Sequence, residues 1–272
     1  MLRALRFRQW AHFLVLPLGS AGPIAAPAST FPALARGVAI AFATLAFGYL
    51  VNALSDREMD ASAEKNPLIS SPPAAGRVVV VLAALALAAL ALAARAPRPV
   101  LVATLVILSS GLVYSVGPRL KRLPLVGTLM NATNFAPLLW MGLAGEAPVP
   151  GLWLLTLVFS GLVLQNQVLH EAADRAEDAR GGIRTTARVL GVRGAALSIG
   201  LFGSLSVALV ATTPGLAWLA LVLVPPFAIA FPLVALRHGA RDGWMRRARR
   251  AHRVCAIVAG AVVFLTVRAS VG

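Results

Sequence analysis

Apolar runs of membrane-spanning length recur along the whole chain, and they leave very few folds open to it. Covering roughly 30 Å of hydrocarbon takes about 20 helical residues. Nine stretches qualify as spans: 10–26, 34–52, 78–94, 100–116, 126–143, 152–169, 195–211, 217–236 and 254–267. Lipid offers no partner for a bare backbone N–H or C=O, so segments of this kind are expected to be helices. At 58% hydrophobic and 13% charged residues, the 272-residue chain has no stretch left for a soluble domain. The expected architecture is all-α, a polytopic membrane protein with residues 1–272 forming one membrane domain. The first run has the basic start of a leader peptide (Arg3, Arg6, Arg8). Trp10 stands where an interfacial anchor would sit, and this favours a retained helix.

The net charge of +15 would suggest nucleic acid in a soluble protein. Its distribution indicates topology instead. With the N-terminus in the cytoplasm, 21 of the 25 Lys and Arg fall on the cytoplasmic side; only Arg36, Arg95, Arg98 and Arg268 fall opposite. That asymmetry is the positive-inside pattern. The run Arg246, Arg247, Arg249, Arg250 and Arg253 then reads as a topology signal in contact with anionic membrane lipids, and no nucleic-acid partner is expected. Cys255 is the single cysteine, so no internal disulfide can form. Pro17, Pro137, Pro225 and Pro226 should kink or interrupt the spans that contain them.

Carboxylates are scarce and clustered. Of 10 acidic residues, 8 lie in two neighbourhoods on the expected cytoplasmic side: Asp56, Glu58, Asp60 and Glu64, then Glu171, Asp174, Glu177 and Asp178. Asn52, Asp56 and Asp60 follow an i, i+4, i+8 spacing, which places them along one helical face. Asn166, His170, Asp174 and Asp178 repeat that spacing at the end of a later span. Two carboxylates one turn apart can share a hard cation, and an all-oxygen set without thiols suits Mg²⁺, which usually completes its shell with water and substrate phosphate. An ion or proton pathway would favour carboxylates at mid-membrane, whereas these lie at span ends. The polar residues at mid-span are Asn131, Asn134, Gln165, Asn166 and Gln167, a set suited to shaping a pocket.

A diphosphate would also need cationic partners. Lys65, Arg119, Lys121, Arg122 and Arg184 lie in the same loops, and Lys65 and Lys121 are the only lysines in the chain. The two patches also form a faint internal echo, 118 residues apart and each followed by a polar loop with a basic residue. Repeat halves of membrane proteins commonly place their sites at the repeat interface.

The stretch Asn52-Ala-Leu-Ser-Asp56-Arg-Glu-Met-Asp60 resembles the first Asp-rich motif of the UbiA superfamily of intramembrane prenyltransferases. Asp174-Arg-Ala-Glu-Asp178-Ala-Arg-Gly-Gly-Ile-Arg184-Thr-Thr resembles the second. Tyr114-Ser-Val-Gly-Pro118-Arg-Leu-Lys121 is similar to the family's Tyr-Ser-x-Pro-Pro-x-x-Lys segment. The motifs fall in family order at span ends, and the likeness covers nearly the whole chain.

The resemblance implies nine helices around a central cavity, and two Mg²⁺ ions bridging the acidic motifs and an isoprenyl diphosphate donor. It implies transfer of a polyprenyl group to a lipophilic acceptor, most simply an aromatic quinone precursor. By position, Asn52, Asp56, Asp60, Glu171, Asp174 and Asp178 are the expected metal ligands. Lys121 joins the aspartates in catalysis. Lys65, Tyr114, Arg119, Asn134, Asn166, His170 and Arg184 are the expected substrate contacts. The expected location is a bacterial or archaeal cell membrane, with the site mouth on the cytoplasmic side. A membrane terpene cyclase, a phosphoribosyl transferase acting on polyprenyl phosphate, and a non-catalytic lipid or ion transporter are the alternatives. Ala53 stands where the family often has Asp, which suggests one ligand fewer. Asn66-Pro67 replaces the usual Arg-Pro, and Gly117 replaces a proline.

Overall fold

The computed structural model describes residues 5–21, 27–57, 66, 68–69 and 75–271. Every regular element among the described residues is helical. Seven helices are long and apolar enough to span a membrane: Ser29–Ser55, Gly76–Ala93, Arg98–Ser115, Leu152–Ala173, Thr186–Ala211, Ala217–His238 and Asp242–Val267. Their outer faces carry side chains such as Val80, Leu87, Leu197, Leu201 and Leu221, each about two-thirds exposed or more, a pattern that only a lipid solvent stabilises. The chain is a multi-pass membrane protein.

Nine spans were expected; seven are met by long helices among the described residues, of which Thr186–Ala211 is kinked at Gly191 (φ 69°). The first and fifth apolar runs are broken. In its described residues the first follows α1 (Phe7–Trp10) with a 3-10 stretch, Ala11–Ser20, that contains Pro17. The fifth consists of α5 (Val126–Phe135) followed by a 3-10 stretch, Ala136–Trp140, that contains Pro137. Proline has no N–H to donate, and its ring crowds the preceding turn. Hydropathy counts apolar residues and is blind to this.

The chain divides into two compact units, Met1–Arg119 with Thr133–Leu152, and Leu120–Ala132 with Trp153–Gly272. In the first unit, α2 (Pro27–Ser55) packs against α3 (Ala75–Ala93) and α4 (Arg98–Ser115). α2 and α4 meet at Gly48 and Gly111, where a Cβ on Gly111 would make an ordinary contact, 3.7 Å, with the Gly48 Cα. Gly142 is packed too tightly for any side chain: its missing Cβ would lie 2.0 Å from the Pro17 carbonyl oxygen, and its N–H donates to Ser20 Oγ at 3.0 Å. Trp10 is not an interfacial anchor. It is fully buried against Phe7, Phe42 and Tyr49, with its indole N–H donating to the Leu5 carbonyl at 2.5 Å.

The second unit contains α6 (Leu152–Ala173, from Trp153 on), α7 (Arg175–Arg180), α8 (Thr186–Ala211), α9 (Ala217–Leu223), α10 (Phe231–His238) and α11 (Asp242–Val271). Between α9 and α10, Val224–Ala230 runs as a π-helix. There Phe231 N–H reaches back five residues to the Pro226 carbonyl. In that register the Phe227 carbonyl would look to residue 232, which is a proline. Gln165, fully buried on α6, fills the gap: Nε2 donates to Phe227 O at 2.7 Å and to Ile199 O at 2.8 Å. Its Oε1 lies 2.9 Å from His252 Nε2 on α11. With both Nε2 hydrogens used on carbonyls, Oε1 must accept, so His252 carries its proton on Nε2. One amide thus joins α6, α8, the π-turn and α11.

Candidate active site

The first acidic patch lies on the last turn of α2. Asn52 and Asp56 share a face, and the Asp56 N–H closes the turn on the Asn52 carbonyl at 3.0 Å. Ser115, the last residue of α4, donates its hydroxyl to Asn52 Oδ1 at 3.2 Å and orients that amide. After Ser115 the chain turns through Gly117 (φ 65°) and Arg119 (φ 50°), and Arg119 Nη2 donates to the Ser55 carbonyl at 3.0 Å. An orphan carbonyl at a helix C-terminus is a favourable place for a guanidinium. Asp60 and Lys65 lie outside the described residues.

Ala53 faces the other way. It is fully buried with Leu50, Leu68 and Val78, so an aspartate here would point into an apolar cluster. The departure from the family motif therefore removes no ligand from the face of Asn52 and Asp56. The neighbouring departure is structural as well. Asn66, fully buried, donates Nδ2 to the Ala53 carbonyl at 2.7 Å and accepts the Leu68 N–H at 3.2 Å. The backbone supplies no substitute, because the Arg57 N–H bonds Leu54 O instead.

The second patch begins where α6 ends. Asn166, His170 and Asp174 follow one face, with His170 Nδ1 3.2 Å from Asp174 Oδ2. Asp174 is the N-cap residue of α7, and the Asp178 N–H returns to the Asp174 carbonyl at 2.8 Å. Gly182 (φ 66°) then turns the chain, and the Ile183 N–H bonds the Asp178 carbonyl at 2.8 Å. Arg188 on α8 braces this loop, with Nη1 donating to the Asp178 carbonyl at 2.9 Å and to the Ile183 carbonyl. Arg184 projects from the loop into an exposed position.

Both oxygens of Glu171, another expected metal ligand, are engaged by protein donors. Oε1 accepts from Thr128 Oγ1 at 2.7 Å and Gln167 Nε2 at 3.3 Å, and Oε2 accepts the Ala187 N–H at 3.1 Å. Thr128 Oγ1 meets Thr186 Oγ1 at 2.6 Å, and Thr186 accepts the Leu125 N–H at 2.8 Å. Since Thr128 donates to the carboxylate, Thr186 must donate to Thr128. This directed chain ties the start of α5 to the end of α6 and the start of α8, and so anchors the loop that carries Lys121. Lys121 lies on a 3-10 turn, Leu120–Arg122, folded tightly onto Gly127, whose missing Cβ would lie 2.8 Å from the Lys121 carbonyl.

Other expected contacts are dispersed. Asn134 accepts from Ser110 Oγ at 2.7 Å, a tie within the first unit, and Tyr114 is half-buried on α4. Sequence reasoning missed Ser115, Asn66, Arg188 and Thr128. Two gave a signal, Ser115 as part of the Tyr-Ser segment and Asn66 as a departure from the family's Arg-Pro.

The donor set fits Mg²⁺. Among the described residues no three His, Cys, Asp or Glu side chains converge into a protein-only cage. Each patch offers two hard-oxygen side chains one turn apart, Asn52 with Asp56 and Asp174 with Asp178. Mg²⁺ usually takes one or two carboxylates and leaves positions for water and phosphate. The Oδ1 of Asn166, buried without a hydrogen-bond partner on the Asp174 face, is a further oxygen suited to a cationic or protic neighbour.

No protein of curated function matches the chain in sequence. Among solved structures, a UbiA homologue from Archaeoglobus fulgidus bound to GPP and Mg²⁺ is similar over 98% of this chain and 99% of its own, at 21% identity and a TM-score of 0.73. An apo UbiA homologue from Aeropyrum pernix K1 covers 93% and 96%, at 18% identity and a TM-score of 0.65. A structure from work on digeranylgeranylglyceryl phosphate synthase in membranes covers 98% and 96%, at 14% identity and a TM-score of 0.70. These likenesses show the fold. The model of the UbiA prenyltransferase family matches residues 14–265, nearly the entire chain, and carries the assignment further. The chain belongs to the UbiA prenyltransferase family.

Proposed function

We propose that the chain transfers a polyprenyl group from an isoprenyl diphosphate to a lipophilic acceptor, with an aromatic quinone precursor as the leading acceptor class. The observation that carries this reading is the pair of acidic helix ends, Asn52 with Asp56 and Asp174 with Asp178. Each follows a long apolar helix and adjoins a loop held by an arginine brace. The A. fulgidus homologue supports the donor class, since it was solved with GPP and Mg²⁺ and also with DMAPP and Mg²⁺.

Asn52, Asp56, Asp174 and Asp178 would hold Mg²⁺, which when bound neutralises diphosphate charge and helps the leaving group depart. Lys121 and Arg184 supply fixed positive charge toward the same diphosphate. The cost of separating the allylic carbon from its diphosphate falls when those charges are already in place. The hydroxyl of Ser115 holds the Asn52 amide in one orientation, and Arg188 fixes the loop between Asp178 and Arg184. An electron-rich acceptor attacks C1, diphosphate leaves, and the proton lost from the acceptor passes to solvent or a nearby base. The charge asymmetry of the loops supports a site mouth on the cytoplasmic side.

The likeness to the structure from work on digeranylgeranylglyceryl phosphate synthase supports a second acceptor class, a glycerol-phosphate lipid. The test is incubation of the reconstituted protein with labelled geranylgeranyl diphosphate, Mg²⁺ and a panel of aromatic and glycerol-phosphate acceptors. Labelled conjugate forming only when one acceptor is present identifies the transferase and its class. A cyclised hydrocarbon formed without acceptor overturns the proposal.

A further inference from the structure

A groove of about 530 Å³ runs between α2, α3 and α4, and neither Asn52 nor Asp56 lines it. Phe47, Val51 and Leu54 of α2, Leu82 and Ala86 of α3, and Leu112 of α4 make its walls apolar. The polar groups gather at one end, where Ser55, Ser115 and Arg119 line it. From Phe47 to Ser55 it follows α2 for roughly 12 Å at about 1.5 Å per residue. That is close to one leaflet's share of a hydrocarbon core about 30 Å thick.

The groove adjoins the proposed donor site at its polar end, where Ser115 both lines it and donates to Asn52 Oδ1, and its apolar length runs along other side chains of α2 and α4. At about 100° per residue, Asp56 points about 100° or more round α2 from the groove-lining side chains, while Asn52 lies about 100° from Val51 but only about 60° from Ser55. Tyr114 is turned away from Leu112 and Ser115 on α4 by a similar angle. The left-handed backbone at Gly117 and Arg119 carries the guanidinium back over the end of α2. Arg119 Nη2 is used on the Ser55 carbonyl, which fixes the cation at the groove mouth. A guanidinium carries five N–H donors, and its charge suits an anionic oxygen.

We propose that this groove is a binding site for an anionic membrane phospholipid, with one acyl chain between α2, α3 and α4 and the headgroup phosphate on Arg119. Apolar walls of leaflet depth, one fixed cation at the mouth and placement on a membrane-spanning element together select this occupant. Because Arg119 also holds the Ser55 carbonyl, beside Asp56, a bound headgroup stiffens the end of α2 that carries the first motif.

The test is native mass spectrometry of the full chain released from nanodiscs of mixed phosphatidylglycerol and phosphatidylcholine. Wild type should retain one phosphatidylglycerol in preference to phosphatidylcholine. Arg119→Gln, which keeps an N–H but loses the charge, should lower that preference by about tenfold, the worth of a charge-assisted hydrogen bond. Ala83→Trp, which fills the groove, should lose the retained lipid, while Val80→Trp on the exposed face of α3 should keep it. If Ala83→Trp fails to accumulate, Ala86→Phe serves in its place. Independently, phosphatidylglycerol with a photoreactive acyl chain should label wild type at residues 79–86 and 112–116 more than a matched phosphatidylcholine probe. Equal labelling by the two probes, equal lipid retention by the groove-filled variants, or displacement of the lipid by geranylgeranyl diphosphate would each overturn the proposal.

Discussion

Replacing Gln165 with Leu removes the amide that joins four elements of the second unit, and the cost can be worked group by group. Ile199 sits in mid-helix, where the α8 ladder supplies its carbonyl with a donor. The Phe227 carbonyl has no such substitute, because the π-register directs it to Pro232. The His252 Nε2–H, 2.9 Å from Gln165 Oε1, also loses its acceptor. Two buried groups are thus stranded, each worth about 1–3 kcal/mol by the usual measure. Hydrogen bonds between membrane helices average nearer about 0.6 kcal/mol, because the unfolded state in the membrane also finds partners. The expected loss is therefore about 2 kcal/mol, between those limits. Denaturant titration in bicelles, followed by circular dichroism, measures it. His252→Phe in the Gln165→Leu background removes one stranded group, so the second substitution should cost clearly less than it does in wild type. A neutral Gln165→Leu, or strictly additive losses, would refute the reasoning.

Three further outcomes follow from contacts in the structure. Glu171→Gln places an amide nitrogen where carboxylate oxygens accept three bonds, so stability should fall by about 1–3 kcal/mol while the Mg²⁺ concentration for half-maximal activity stays put. Were Glu171 a metal ligand instead, metal titration would show the shift and thermal unfolding would not. Asn66→Ala leaves the Ala53 carbonyl without a donor, and amide exchange over residues 53–57 should quicken by about tenfold or more, as a loss of about 1.4 kcal/mol or more implies. Gly142→Ala drives a Cβ into the Pro17 carbonyl and should sharply reduce accumulation of folded protein, whereas Gly145→Ala, with open space around it, should be tolerated.

The membrane class, the span positions and the two acidic motifs were legible because they depend on local quantities: run length, charge asymmetry and i, i+4 spacing. The broken first and fifth runs were legible only in part. Pro17 and Pro137 announced interruption, but their conversion to 3-10 stretches depends on packing such as that of Gly142 on Pro17. Trp10 misled for the same reason. Its place in the sequence suits an interface, yet Phe42 and Tyr49, more than 30 residues away, bury it. Ala53 looked like a lost ligand until α2 was seen to turn it toward Leu68 and Val78. The role of Gln165 could not be foreseen, because it answers a carbonyl freed by a π-turn 62 residues later. Glu171 carried the right charge at a motif position, but no spacing rule connects it to Thr128 and Thr186. Side chains that brace the motifs are set by long-range contacts, and one sequence does not display those.

The central claim is that the two acidic helix ends serve one Mg²⁺-dependent prenyl transfer. The most direct measurement is release of labelled diphosphate from geranylgeranyl diphosphate, with acceptor present, by wild type, Asp56→Ala and Asp178→Ala reconstituted in membranes. The account predicts Mg²⁺-dependent release by wild type and its loss in each variant, with the variants retaining wild-type helix content. Turnover at the wild-type rate in both variants, or release by wild type that persists after chelation of divalent cations, would contradict it.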